Sequence, residues 1–270
     1  MLLVLLFFIG LAGGMLGSLV GLGGGIIIVP ALLFIGNYTS LLPSITPQLA
    51  VGTSMIILIV TGLSSTLSYM KQKTVYFKAG MIFFIGSGPG AFVGALINKT
   101  IDLHLFYIFF GTFVIFISLL LSVQKYLKPN TNPVGITYTF RDKQGEEHFL
   151  QFQPVLAVMI AFIVGVLSGL FGIGGGSLMV PTMLLLFRFP ASIAVATSMF
   201  MVFLSSIVGS IAHIQLGNVE WLWILVLAPG AWIGAKAGAF INRRLKDGTV
   251  IVILRLVLVV VGVRLIFQGL

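Results

Sequence analysis

Cysteine is absent from this chain, and with it go disulfides, thiolate nucleophiles and thiolate metal sites. Charge is scarce too, at 8% of 270 residues. A water-soluble chain carries about a quarter charged residues to keep its surface wet. Here 59% of the residues are hydrophobic and the mean hydropathy is +1.17. These shortages exclude a soluble fold and point to an integral membrane protein. The apolar stretches are continuous rather than alternating, so the spans read as helices of about 20 residues and not as barrel strands.

Acidic residues are the next shortage. Asp102, Asp142, Glu146, Glu147, Glu220 and Asp247 all fall in loops or at span ends. Cation pumps and proton relays place carboxylates inside the membrane, and this chain places none there. The histidines His104, His148 and His213 are scattered. No metal site, cofactor or catalytic cluster is expected, and the chain does not read as an enzyme. The formal charge of +9 sits mostly in loops, where it reports membrane topology rather than nucleic-acid binding. No basic segment precedes the first apolar run, which is read as part of the fold and not as a cleaved signal.

What the chain has in excess is glycine, written in a repeated phrase. GLGGGIIIVP at 21–30 is answered by GIGGGSLMVP at 172–181. AVGTSM at 50–55 is answered by AVATSM at 194–199, and GPGAFVGA at 88–95 by APGAWIGA at 228–235. Three matches in the same order indicate a duplicated unit. The expected division is 1–124 as a first transmembrane repeat, 125–153 as a cytoplasmic linker and 154–270 as a second repeat. In the linker, ITYTF and HFLQF flank a glycine-containing turn and suggest a β-hairpin.

Basic loops orient the repeats. Lys71, Lys73 and Lys78 follow the first AVxTSM span, while the matching stretch 213–220 has no Lys or Arg. The next loop reverses the bias, with Lys99 alone in the first copy and Arg243, Arg244 and Lys246 in the second. Positive loops stay inside. The expected fold is therefore an all-α integral membrane protein of two inverted-topology repeats, about five membrane elements each. The segments 2–36 and 154–187 are broken or re-entrant helices, bent at the glycine phrases. Both termini lie outside a multi-pass protein of the cell membrane.

Interrupted helices at matching places in inverted halves mark a transporter's binding site. The second arm of each broken helix starts at Gly25 or Gly176, where the first amides lack intrahelical partners and carry partial positive charge. Gly23, Gly24, Gly25, Gly174, Gly175 and Gly176, with the hydroxyl of Ser177, are the expected contacts for a small anion. Thr53, Ser54, Thr197 and Ser198 either join that site or bond back to their own helices. Ser64, Ser65, Ser205 and Ser206 read as packing residues. So do the glycines spaced by four, Gly13–Gly17–Gly21 and Gly230–Gly234–Gly238. Lys236 and Arg255 lie inside spans; Lys236 either snorkels to the interface or meets the substrate. His213, with Tyr69 as its counterpart, is a candidate proton sensor. The phrase GLGGGI is neither GxGxxG nor a Walker A loop.

The paired GxGGG-to-Pro and A-V-x-T-S-M phrases resemble the sulfite exporter TauE/SafE family of membrane permeases, across both halves. That resemblance implies transport of small sulfur-containing anions, such as sulfite or organosulfonates. The reading is an exporter that works by alternating access around a midplane site formed by the two glycine-rich helix breaks. An anion channel with the same site, or a proton-coupled importer of a sulfur oxyanion, are the alternatives.

Overall fold

The computed structural model describes residues 2–38, 45–123, 136–141, 147–187 and 189–244, with isolated helical positions between 259 and 267. The elements run α1 (Leu2–Val20), α2 (Gly25–Tyr38), α3 (Pro47–Lys71), α4 (Phe77–Asn98) and α5 (Leu103–Val123). They continue with β1 (Ile136–Arg141), β2 (Glu147–Phe152), α6 (Pro154–Phe171), α7 (Gly176–Leu185), α8 (Ala191–Gln215) and α9 (Trp221–Asn242). Six of the described helices, α1, α3, α4, α6, α8 and α9, are long and apolar enough to cross a membrane. The expected last span, 249–269, and Arg255 within it fall almost entirely outside the described residues.

Local signals set the helix starts. Thr46 caps α3 by accepting from the Leu49 amide at 3.2 Å, and Pro47 takes the first position, where no amide is needed. Proline also opens α6, at Pro154. The two strands pair antiparallel, from Ile136 opposite Phe152 to Arg141 opposite Glu147. Phe152 anchors this hairpin: its buried ring lies 5.6 Å from Phe83 of α4 and 5.7 Å from Phe189.

The molecule is apolar outside, and inside it hydroxyls are buried among apolar side chains. Ile85, Leu222 and Leu225 are exposed, whereas Thr53, Ser54, Ser64, Ser65, Thr197 and Ser206 are fully buried. In lipid there is no hydrophobic drive between helices, so close backbone approach and buried polar bonds hold them together. Glycine supplies that approach. Gly230, Gly234 and Gly238 of α9 lie against backbone of Phe7, Leu11 and Met15 of α1. Gly86, Gly90 and Gly94 of α4 lie in the same way against Val158, Phe162 and Val166 of α6. A side chain at any of these would strike the facing helix. Gly13 and Gly17 lie against the break residue Gly24, and Gly21 belongs to the break itself with φ +80.

These contacts correct one reading of the repeat. The phrases GPGAFVGA and APGAWIGA align 140 positions apart and superpose Pro89 on Pro229. The packing contacts equate Gly86 with Gly230 and Gly94 with Gly238, 144 apart. The sequence match is displaced by one helical turn, which keeps the same face of the helix and so leaves the glycine stripe intact.

Contact order gives the directions. Contacts advance together along α1 and α9, and together along α6 and α4. Gln72, at the end of α3, donates to the Ala239 carbonyl near the end of α9. Gln48, near the start of α3, donates to the Asn98 and Ile101 carbonyls at the end of α4, while Glu220, before α9, donates its amide to Thr53. So α4 ends where α9 begins, and α1 and α6 enter the bundle from opposite ends.

Replacing Gly234 with leucine will lower the unfolding temperature of the detergent-purified protein, because overpacking costs about 1–3 kcal/mol. Leu225→Ala, on the exposed face of the same helix, will leave it near the parent value.

Candidate anion site at two helix breaks

Helix α1 stops at Val20 and α2 starts at Gly25; α6 stops at Phe171 and α7 starts at Gly176. The chain between them turns through left-handed backbone at Gly21, Gly23 and Gly24 (φ +80, +89 and +97) and at Gly172 and Gly174 (φ +66 and +71). Only glycine enters that region cheaply, which accounts for the repeated phrase. The two breaks are pressed together. A methyl group on Gly25 would strike the Gly172 carbonyl, and one on Gly176 would strike the Gly21 carbonyl. Residues 21–26 and 171–177 are all buried.

A helix break buried away from water must satisfy the carbonyls it frees. Side chains do so here, and each bond occurs twice. Ser198 Oγ donates to the Gly21 carbonyl at 3.0 Å, and Ser54 Oγ to that of Gly172 at 2.9 Å. Asn242 Nδ2 donates to Leu19 at 2.6 Å, and Asn98 Nδ2 to Leu170 at 2.8 Å. Tyr69 donates its hydroxyl to Ser18 at 2.9 Å, and His213 Nε2 meets the Gly169 carbonyl at 3.0 Å. The threonines act from the other direction. Thr53 Oγ1 accepts the Glu220 amide and Thr197 Oγ1 the Tyr76 amide, each at 3.1 Å, which ties α3 to the start of α9 and α8 to the start of α4.

The amide ends are treated differently. Ile27 and Ile28 donate to Gly24, Met179 donates to Gly175, and the Gly175 amide is taken by Ser168 Oγ at 2.9 Å. The amides of Gly25 and Ile26, and those of Gly176, Ser177 and Leu178, find no partner among the described residues. The carbonyl ends of α1 and α6 are therefore capped by donors, while the amide ends of α2 and α7 stay open. No Asp, Glu, Lys or Arg is buried among the described residues, so backbone dipoles set the field at the breaks.

Of the residues singled out from sequence, Gly23–Gly25, Gly174–Gly176 and Ser177 line the paired breaks. Thr53, Ser54, Thr197 and Ser198 surround them with their hydroxyls already engaged. Lys236 is exposed, its Nζ 5.3 Å from the Trp232 ring centroid. No group of three His, Asp or Glu suited to a metal occurs among the described residues. Sequence reading passed over Asn98 and Asn242, although both end their spans at equivalent positions. It also passed over Leu58 and Val202, which pack against Gly23 and Gly174 and look like any other apolar residue of a span.

The sequence profile described as Sulfite exporter TauE/SafE matches residues 6–265. The chain belongs to the TauE/SafE family. It is 52% identical over 267 residues to probable membrane transporter protein YunE of Bacillus subtilis, covering 98% of each chain. A probable membrane transporter protein of Methanocaldococcus jannaschii is 29% identical over 97% of this chain and 94% of its own. Another from Bacillus subtilis, YjnA, is 27% identical over 97% and 99%. No solved structure matches the chain. This TauE/SafE protein is a multi-pass membrane transporter with a small-molecule substrate.

Ser54→Ala and Ser198→Ala will each destabilise the protein by about 1–3 kcal/mol, the cost of a buried carbonyl left without its donor. Thermal unfolding in detergent reads this directly. An unchanged midpoint for both would mean that these bonds do not hold the breaks.

Proposed function

We propose that this protein exports small sulfur-containing anions, such as sulfite or organosulfonates, by alternating access around the two helix breaks. The observation that carries the reading is the paired set of unpartnered amides at the starts of α2 and α7. Each helix start carries the equivalent of about half a positive charge. Two of them side by side, with the neighbouring carbonyls capped, make a compact positive pole without a cation. The unpartnered amides supply the donors that oxyanion oxygens require. Gly25 and Gly176 leave the backbone bare, and Ser177 adds one hydroxyl whose partner is not among the described residues.

The opposite entry of α1 and α6 supports inverted repeats of about five elements, divided at the 125–153 linker. In that arrangement the halves can rock about a site near the midplane. Lys71, Lys73 and Lys78 share one end of the bundle with Arg243 and Arg244, through the Gln72–Ala239 bond. By the positive-inside rule this end is cytoplasmic, and α1 starts from the outer end. In a cell membrane, inside negative, an anion leaves with a gain of about 2.3 kcal/mol per charge per 100 mV. Export then needs no coupling ion, in keeping with the absence of buried carboxylates among the described residues. His213 has a structural task at Gly169, which weighs against the importer that would use it as a proton carrier.

Protein reconstituted in vesicles will move sulfite or a short sulfonate with saturation and counterflow. Ser177→Ala will raise the half-saturating concentration about tenfold, the effect of one hydrogen bond to a charged group. Large unitary currents without counterflow would instead make it a channel. Flux of cations alone would defeat the anion reading.

A further inference from the structure

Two apolar side chains stand where the breaks face each other. Leu58 of α3 and Val202 of α8 occupy equivalent places, 144 positions apart. A methyl group on Gly23 would lie 2.9 Å from Leu58 Cδ2 and 3.2 Å from Val202 Cγ1. One on Gly174 would lie 3.1 Å from each of the two side chains. Each residue thus touches both breaks, and with Met55 they form a small, fully buried apolar cluster.

Hydroxyl residues flank them along the two helices. Ser54 and Ser198 stand one turn before Leu58 and Val202 on the same helices. Thr61 and Ser65 follow Leu58 on its own face of α3, fully buried, and their hydroxyls have no partner among the described residues. Leu58 and Val202 thus set hydrocarbon between the two breaks, beside these hydroxyls. A constriction of that kind blocks ions by refusing hydration, and it opens when its walls part.

We propose that Leu58 and Val202 form an apolar gate between the breaks, which must separate before an anion reaches the amides of α2 and α7. The inference rests on the transport reading of those breaks and adds the element that keeps the path shut. Because one residue comes from each half, relative motion of the halves moves the two gate side chains against each other. Their combined bulk keeps the closed state tight, so trimming it opens a leak.

The test uses the full-length protein in sealed vesicles, with chloride efflux as the probe. Leu58→Ala, Val202→Ala and the double variant are expected to leak about tenfold faster than the parent or more, as a widened, wetted constriction would. Leu67→Ala, at an exposed position of α3, is the control and is expected to stay tight. Folded alanine variants as tight as the parent would overturn the gate. A second reading needs no flux. The chain has no native thiol, so Leu58→Cys can be probed with a membrane-impermeant maleimide. Labelling is expected to be slow with Val202 present and fast with Val202→Ala; equal rates in both would again overturn the gate. If the parent moves no sulfur anion but the alanine variants leak, the gate stands and the cargo assignment falls.

Discussion

A helix that stops inside a bilayer leaves carbonyls and amides with no water to take them, and each costs several kcal/mol unless protein supplies a partner. That constraint governs this molecule. The breaks at 21–24 and 172–175 exist only because Ser54, Ser198, Asn98, Asn242, Tyr69 and His213 reach the freed carbonyls. These donors come from α3, α4, α8 and α9, so the four long helices must sit where they do for the breaks to survive. The glycine stripes on α4 and α9 then have a second consequence. By letting α6 and α1 lie backbone to backbone against them, they bring Asn98 and Asn242 within reach of Leu170 and Leu19.

The capping problem is met in the same way at both breaks. Ser54 caps the break of the other half, as does Ser198, and the asparagines do the same. Tyr69 and His213 cap the arms of their own halves. Neither break can therefore form fully without the opposite half in place. The serine and asparagine caps of the breaks are at the same time bonds between the halves.

Much of this was legible before any coordinates. Continuous apolar runs fixed the spans, and positive-φ glycines sit where the phrases GLGGG and GIGGG lie. The helix starts at Gly25 and Gly176 follow from the last glycine of each phrase. The hydroxyls were located but their work was not. A threonine beside a break reads equally as a ligand or a structural donor, and distance alone separates the two. The one-turn displacement of the α4 and α9 match was hidden for a related reason. A shift of four residues returns a helix to nearly the same face, so small-residue patterns repeat in both registers. Leu58 and Val202 were invisible because an apolar residue in an apolar span carries no signal until its neighbours are known.

The two breaks share their capping bonds and differ in the residues around them. A site built of identical halves would present the same field and the same donors in both directions. Here the second break carries Ser177 where the first carries Ile26, and Ser168 binds the Gly175 amide where the first copy has Gly17. The hydroxyls of Thr61 and Ser65 are without partners among the described residues, whereas their counterparts are Ser205, bonded to its own helix, and Gly209. The loops diverge further: Lys71, Lys73 and Lys78 near one end, Glu220 at the equivalent stretch of the other. Each difference leaves the capping bonds untouched. The shared residues cap the breaks, and the unshared ones make the two breaks chemically different from each other.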